Sequence, residues 1–306
     1  MNTCNRRSPQ SSIRLGLSLL SLSVLLVARS AFGSAIDLGT AGDYTVVALG
    51  QNFTIGQNSG PVVGNEILGN GVNAAFSGGG NGAITGTLSY DSTVTGTNTF
   101  SQLQNPPTTQ LVSTAVTQGV LSAAQNASAN AAALPATQSY ASIGNGQTIS
   151  GNGGLNVINV GNINNANFTL SGNANDKFVF NISGAFASNQ TMTLTGGVTA
   201  SNILFNFTAK SGTVFQTSGG DTLYGTFLAT DGGSFQFSNL NLTGSIINTD
   251  GNVQLVSGSH VSFPSIPETS SLFPLLGVLS LAIFGPTLRR KLLAARGLSK
   301  DLSAAS

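Results

Sequence analysis

The fold turns on one stretch of short segments: KFVFNI (177–182), NILFNF (202–207), TVFQ (213–216), LYGTFLA (223–229), SFQF (234–237), SIINT (245–249) and NVQLV (252–256). Each is brief and rich in β-branched and aromatic residues, and Asn, Gly or Asp separates it from the next. Residues two apart on a strand share a face, so Phe178, Phe180 and Ile182 point one way, as do Phe205 and Phe207. The same rhythm reaches back through LNVINV (155–160), NFTL (167–170) and MTL (192–194), with starts about every 8 to 12 residues. A sandwich, a barrel or a β-solenoid each produces that spacing. Dense Gly- and Asn-bearing corners, short apolar segments and the lack of a dominant Asn-Gly hairpin pattern favour the solenoid.

One segment breaks the rhythm. After Pro106-Pro107, residues 108–134 are rich in Ala, Gln and Ser, carry no charge, and stop at Pro135. Leu111, Val112, Ala115, Val116, Val120, Ala123, Ala124, Ala127 and Ala131 fall at i, i+4 spacing and form a narrow small-residue stripe. The pattern predicts one helix over about 108–134, with Thr108 as its cap. Such a helix is about 39 Å long, which matches about eight stacked strands. A helix without charge needs a surface to lie on, so it is expected to cover one face of the solenoid. The predicted architecture is mainly β: a β-solenoid of the right-handed β-helix type with one long helix alongside, flanked by an N-terminal signal helix and a C-terminal transmembrane helix.

Charge is scarce, and its placement is informative. Between Ile36 and Phe263 the only bases are Lys177 and Lys210, against eight acids, so this body carries about −6. Phosphate neutralisation needs Lys and Arg, which excludes nucleic acid as a partner. The remaining bases crowd the two ends. Cys4 is the only cysteine, so the body has no disulfide and no Cys-based metal site.

The ends read as targeting segments. A basic start, the apolar run LGLSLLSLSVLLV (15–27) and small residues up to Ala35 have the layout of a secretory signal peptide over 1–35, cleaved after Ala35 or Gly33. At the other end, Pro267-Glu268-Thr269 precedes LFPLLGVLSLAIFGPTL (272–288) and then Arg289-Arg290-Lys291. The uncharged run is just long enough to span a bilayer, and the bases after it favour a cytoplasmic C-terminus with the body outside. Residues 292–306 then form a cytoplasmic extension.

Three family resemblances follow from these residues. The order Pro267, Glu268, Thr269, membrane helix, then Arg289, Arg290 and Lys291 resembles the PEP-CTERM sorting tail over 264–291, although Thr269 replaces the usual Pro and fifteen residues follow the bases. That resemblance implies the membrane, the secretion machinery and an exosortase-like processing enzyme as partners. It leaves open whether the tail is cleaved or retained as an anchor. The body, 36–263, resembles the choice-of-anchor A domain of secreted bacterial proteins. The opening Asp37-Leu38-Gly39-Thr40-Ala41-Gly42-Asp43-Tyr44 carries it, with Ile203 to Phe207, Tyr224 to Ala229, Leu242 to Ile247 and His260 to Phe263. The opening and the long helix are also similar to the ice-binding β-solenoids.

Little in the sequence points to catalysis. His260 is the only histidine, the acids are scattered, and Asp231-Gly232 and Asp250-Gly251 read as turns. No cofactor and no metal ligand set is indicated. The surface feature singled out is threonine at alternate positions: Thr191, Thr193 and Thr195, and likewise Thr93, Thr95, Thr97 and Thr99. On a strand these share a face and offer a row of methyls and hydroxyls. The functional expectation is a non-enzymatic protein of the cell envelope or extracellular matrix, serving adhesion or structure, with extracellular polysaccharide or matrix as a candidate partner. The alternatives are an ice-binding protein that uses the Thr faces, and a polysaccharide-acting enzyme.

Overall fold

Short apolar segments separated by corners wind into coils of up to three strands, one on each of three faces. The computed structural model describes residues 35–77, 83–103, 105–164 and 167–263. All described strand pairs are parallel, as coiling in one direction requires.

One face records the whole winding order. From end to end its strands are Thr108–Leu111, Thr87–Tyr90, Glu66–Leu68, Val46–Ala48, 245–248, 226–229, Ile203–Phe207, 177–182, 155–160 and 138–140. The described chain therefore starts in the middle of the stack and winds out to one end. A helix, α1 (Thr114–Ala133), carries it to the opposite end, and it then winds back until 245–248 pairs with Val46–Ala48. That pairing is a seam between the first coil and the last.

Inward side chains fill the lumen. Phe180, Phe205 and Phe227 occupy one register column and stack at centroid separations of 4.8 and 4.6 Å. From the next face, Phe186 and Phe215 stack at 5.0 Å, and Phe215 meets Phe227 at 4.2 Å. Where Thr222–Ala229 and Asn241–Asn248 turn from one face to the next, Gly225 (φ +120°) and Gly244 sit in register. A Cβ on Gly244 would lie 1.8 Å from the Gly225 carbonyl oxygen, so the corner excludes a side chain.

The outward residues of the first face form a second apolar layer. Val47, Ile67, Val179, Leu204, Leu228 and Ile247 pack beneath α1, which buries Val120, Ala124, Ala127 and Ala131 against them. Thr117 and Ser128 are buried at the same surface, and the segment Gly39–Asp43 packs alongside. At 20 residues, α1 is about 30 Å long. It runs from the strand Thr87–Tyr90 to the strand Lys177–Ile182, six steps of about 4.8 Å, or about 29 Å.

Two expectations need correction. Thr108 does not cap the helix: Thr108–Leu111 is a strand paired with Thr87–Tyr90, and Ser113 takes the cap position. Thr108 and Thr109 are β-branched and meet an open sheet edge, so pairing outcompetes helix there. The second threonine series is not a strand face, because Thr97 and Thr99 lie in the 3-10 helix Thr97–Gln102. The signal peptide 1–35, apart from Ala35, and the sorting tail lie outside the described residues. No helix among the described residues is long and apolar enough to cross a membrane.

Candidate functional site

The most regular surface lies on a face that α1 leaves open. Three strands, Thr148–Ser150, Thr169–Ser171 and Thr193–Thr195, form a sheet of their own. Each has the order hydroxyl, apolar, hydroxyl. Ile149 and Leu170 are buried in the lumen and Leu194 is half-buried against it. Period-two alternation turns the flanking residues outward.

Register makes an array of them. Thr148, Thr169 and Thr193 form one column, and Ser150, Ser171 and Thr195 the other. Column neighbours are about 4.8 Å apart and the columns about 7 Å apart, so six hydroxyls cover about 10 by 7 Å. Thr195 Oγ1 donates to the Leu170 carbonyl at 3.4 Å. Among the described residues, the other five hydroxyls have no intramolecular partner. No charged side chain belongs to these strands.

Beneath the array, Asp176 fixes the corners. It is buried and accepts from the Gly153, Gly154 and Asn173 backbone N–H groups and from Asn156 Nδ2. Burial works against its charge, but these four donors outweigh it and hold the carboxyl below its usual range. Gly151 and Gly172 follow the first two strands, and a Cβ on either would fall within 2.7 Å of that carboxylate. The turn from the array to the helix-covered face is thus built around one acid.

Thr193 and Thr195 therefore share the array, whereas Thr191 is exposed and precedes the strand. Thr148, Ser150, Thr169 and Ser171 were missed, although the hydroxyl–apolar–hydroxyl triplet recurs after 21 and 24 residues, about one coil each time. Beyond the array the surface changes character. The strands Thr222–Ala229, Asn241–Asn248 and His260–Ser262 belong to the larger sheet and carry mixed side chains in register, Thr222, Asn241 and His260 in one row and Tyr224, Thr243 and Ser262 in another; the Met192 N–H donates to the Thr222 carbonyl at 2.9 Å and links them to the array. His260 Nδ1 lies 3.3 Å from Asn241 Oδ1, a contact within the surface. Pro267, Glu268, Thr269, Arg289, Arg290 and Lys291 lie outside the described residues. No three of His, Cys, Asp and Glu converge among the described residues.

A family model described as "Putative Ice-binding-like adhesive domain" matches residues 29–260. Solved structures similar in fold include two ice-binding proteins. One is the ice-binding protein of the Antarctic ascomycete Antarctomyces psychrotrophicus, at 16% identity and a TM-score of 0.52, covering 74% of this chain and 97% of that one. The other is the ice-binding protein LeIBP from an Arctic yeast, at 17% identity and a TM-score of 0.53, covering 76% and 95%. No curated protein matches the chain.

Proposed function

The chain belongs to the ice-binding-like adhesive domain family, and from that premise we propose that it is an exported, non-enzymatic adhesin of the cell envelope or extracellular matrix. The observation that carries this reading is the charge-free array of six outward hydroxyls on a rigid parallel sheet. A flat, uncharged, register-locked surface suits repeated weak contacts with a hydrated solid or polymer, because its side chains are already ordered before contact. The targeting segments complete the proposal. A signal peptide exports the body, 36–263 acts as a choice-of-anchor A-like module, and the tail from Pro267 to Lys291 is handled by an exosortase-type system or holds the chain in the membrane.

Ice binding is the second reading, and the Thr/Ser array favours it directly. The array's size weighs the other way: it spans three strands, and the next strand, Thr222–Ala229, reached through the Met192–Thr222 backbone hydrogen bond, carries Tyr224. The two readings separate in one comparison. Cells displaying the full chain should be retained on polysaccharide-coated surfaces, and Thr169→Tyr, placed at the array's centre, should abolish retention. Thermal hysteresis from the full chain that disappears in Thr169→Tyr would establish ice binding instead. Retention unchanged by Thr169→Tyr would sink the array as the adhesive surface.

A further inference from the structure

Beside the C-terminal end of α1 lies an open cleft of about 530 Å³, separate from the hydroxyl array. Its polar wall is a column in register across three coils, Ser139, Asn159 and Asn181. Ala132 of α1, Tyr140, Val160, Ser183 and Thr208 also line it. No charged side chain lines it.

The hydrogen bonding of that column is closed at one end and open at the other. Asn206 Nδ2 donates to Asn181 Oδ1 at 2.9 Å and to the Ser128 carbonyl at 3.1 Å, and Ser128 Oγ donates back to Asn206 Oδ1 at 2.7 Å. Asn181 Nδ2 donates to the Ala131 carbonyl at 2.9 Å and to Asn159 Oδ1 at 3.5 Å. Both amides are buried beneath the helix. The chain of donors then emerges into the cleft. Asn159 and Ser139 are exposed, and among the described residues Asn159 Nδ2 and Ser139 Oγ have no partner. A row of amides already oriented by its buried members presents its next donor and acceptor at the height of one further coil.

We propose that this cleft binds a neutral saccharide, with Asn159 and Ser139 taking adjacent sugar hydroxyls. Three features select that class. A carboxamide beside a hydroxyl matches the paired donor and acceptor character of vicinal hydroxyls. The absence of charge gives no reason to prefer an anionic or cationic ligand. The volume falls within the range of small-ligand clefts, and the lining mixes polar groups with apolar surface from Ala132, Tyr140 and Val160, which suits a ligand that has both hydroxyls and C–H faces. The inference goes beyond the adhesive reading and does not depend on the array.

The test is calorimetric titration of the full chain, held in a detergent without a sugar headgroup, with cellotetraose, maltotetraose and tetra-N-acetylchitotetraose. Saturable binding of at least one is expected. Asn159→Ala should weaken it up to about tenfold, in line with loss of one neutral hydrogen bond, and Ser139→Trp should abolish it by filling an exposed position in the cleft. Thr169→Tyr should leave it unchanged, which keeps this result distinct from any failure at the array. Failure of all three tetrasaccharides to bind, or binding that survives both cleft changes, would overturn the proposal.

Discussion

Glu66 shows how much one residue can set. It pairs in register with Val46 and Leu88, whose side chains line the lumen, and it is fully buried with neither carboxyl oxygen hydrogen-bonded. Burial pushes its carboxyl from the ordinary 4.5 up to about 8. The fold therefore keeps the proton that the unfolded chain releases. The Glu66 contribution to stability is fully present below about pH 4.5, is lost as pH rises from there to about 8, and then levels off. That interval corresponds to about 5 kcal/mol. Denaturant midpoints of the native chain should fall between pH 5 and 8, and Glu66→Gln should remove the Glu66 part of that slope. Slopes that coincide would contradict the assignment. Between Ile36 and Phe263 Glu66 is one of eight scattered acids. Its alternation with Leu68 was visible, but which side of Glu66–Leu68 faces the lumen depends on neighbours distant in sequence.

At the scale of elements, α1 was legible and its start was not. The uncharged, Ala-rich stripe announced a helix on a surface, and Leu134, extended before Pro135, ends it as expected. Its N-terminal limit was set by the free edge of Thr87–Tyr90, which captured Thr108–Leu111 as a strand. The helix is then tied at both ends. Asp91 accepts from Thr117 and Thr93 hydroxyls at one end, and Asn181 and Asn206 hold Ala131 and Ser128 at the other. Burial opposes the Asp91 charge, yet the hydrogen bonds from Thr117, Thr93 and Asn70 hold its carboxyl below the usual range. Between the ties, Gly119 faces open space, and a Cβ added there would meet nothing within 4 Å. Gly119→Ala should therefore stabilise the protein by about 1 kcal/mol in chemical denaturation, through helix propensity and a less flexible unfolded chain. A loss of stability would show that this turn of α1 needs glycine's conformational range.

Across the whole molecule the seam matters most. Because winding begins in the middle, Val46–Ala48 is paired on both sides, with 66–68 and 246–248, although it lies near the start of the described chain. Thr108–Leu111 and 138–140 are the end strands of the same face, though they lie mid-sequence. Hydrogen-exchange mass spectrometry should find the Val46–Ala48 amides about as protected as Ile203–Phe207, and those of Thr108–Leu111 much less so. Fast exchange at Val46–Ala48 would mean that the seam opens independently of the coils around it.

The sequence alone determined the local properties of this protein: short alternating strands, an uncharged helix, an acidic body poor in bases, and ends that read as targeting segments. These follow from periodicity, propensity and composition, which act over a few residues. Tertiary structure decided which strands stack. It brought Thr148, Thr169 and Thr193 into one column, opened Asn159 and Ser139 onto a cleft, and joined the last coil to the first. Those outcomes depend on register between segments about one coil or more apart, and register is settled by burying the lumen side chains of all coils together.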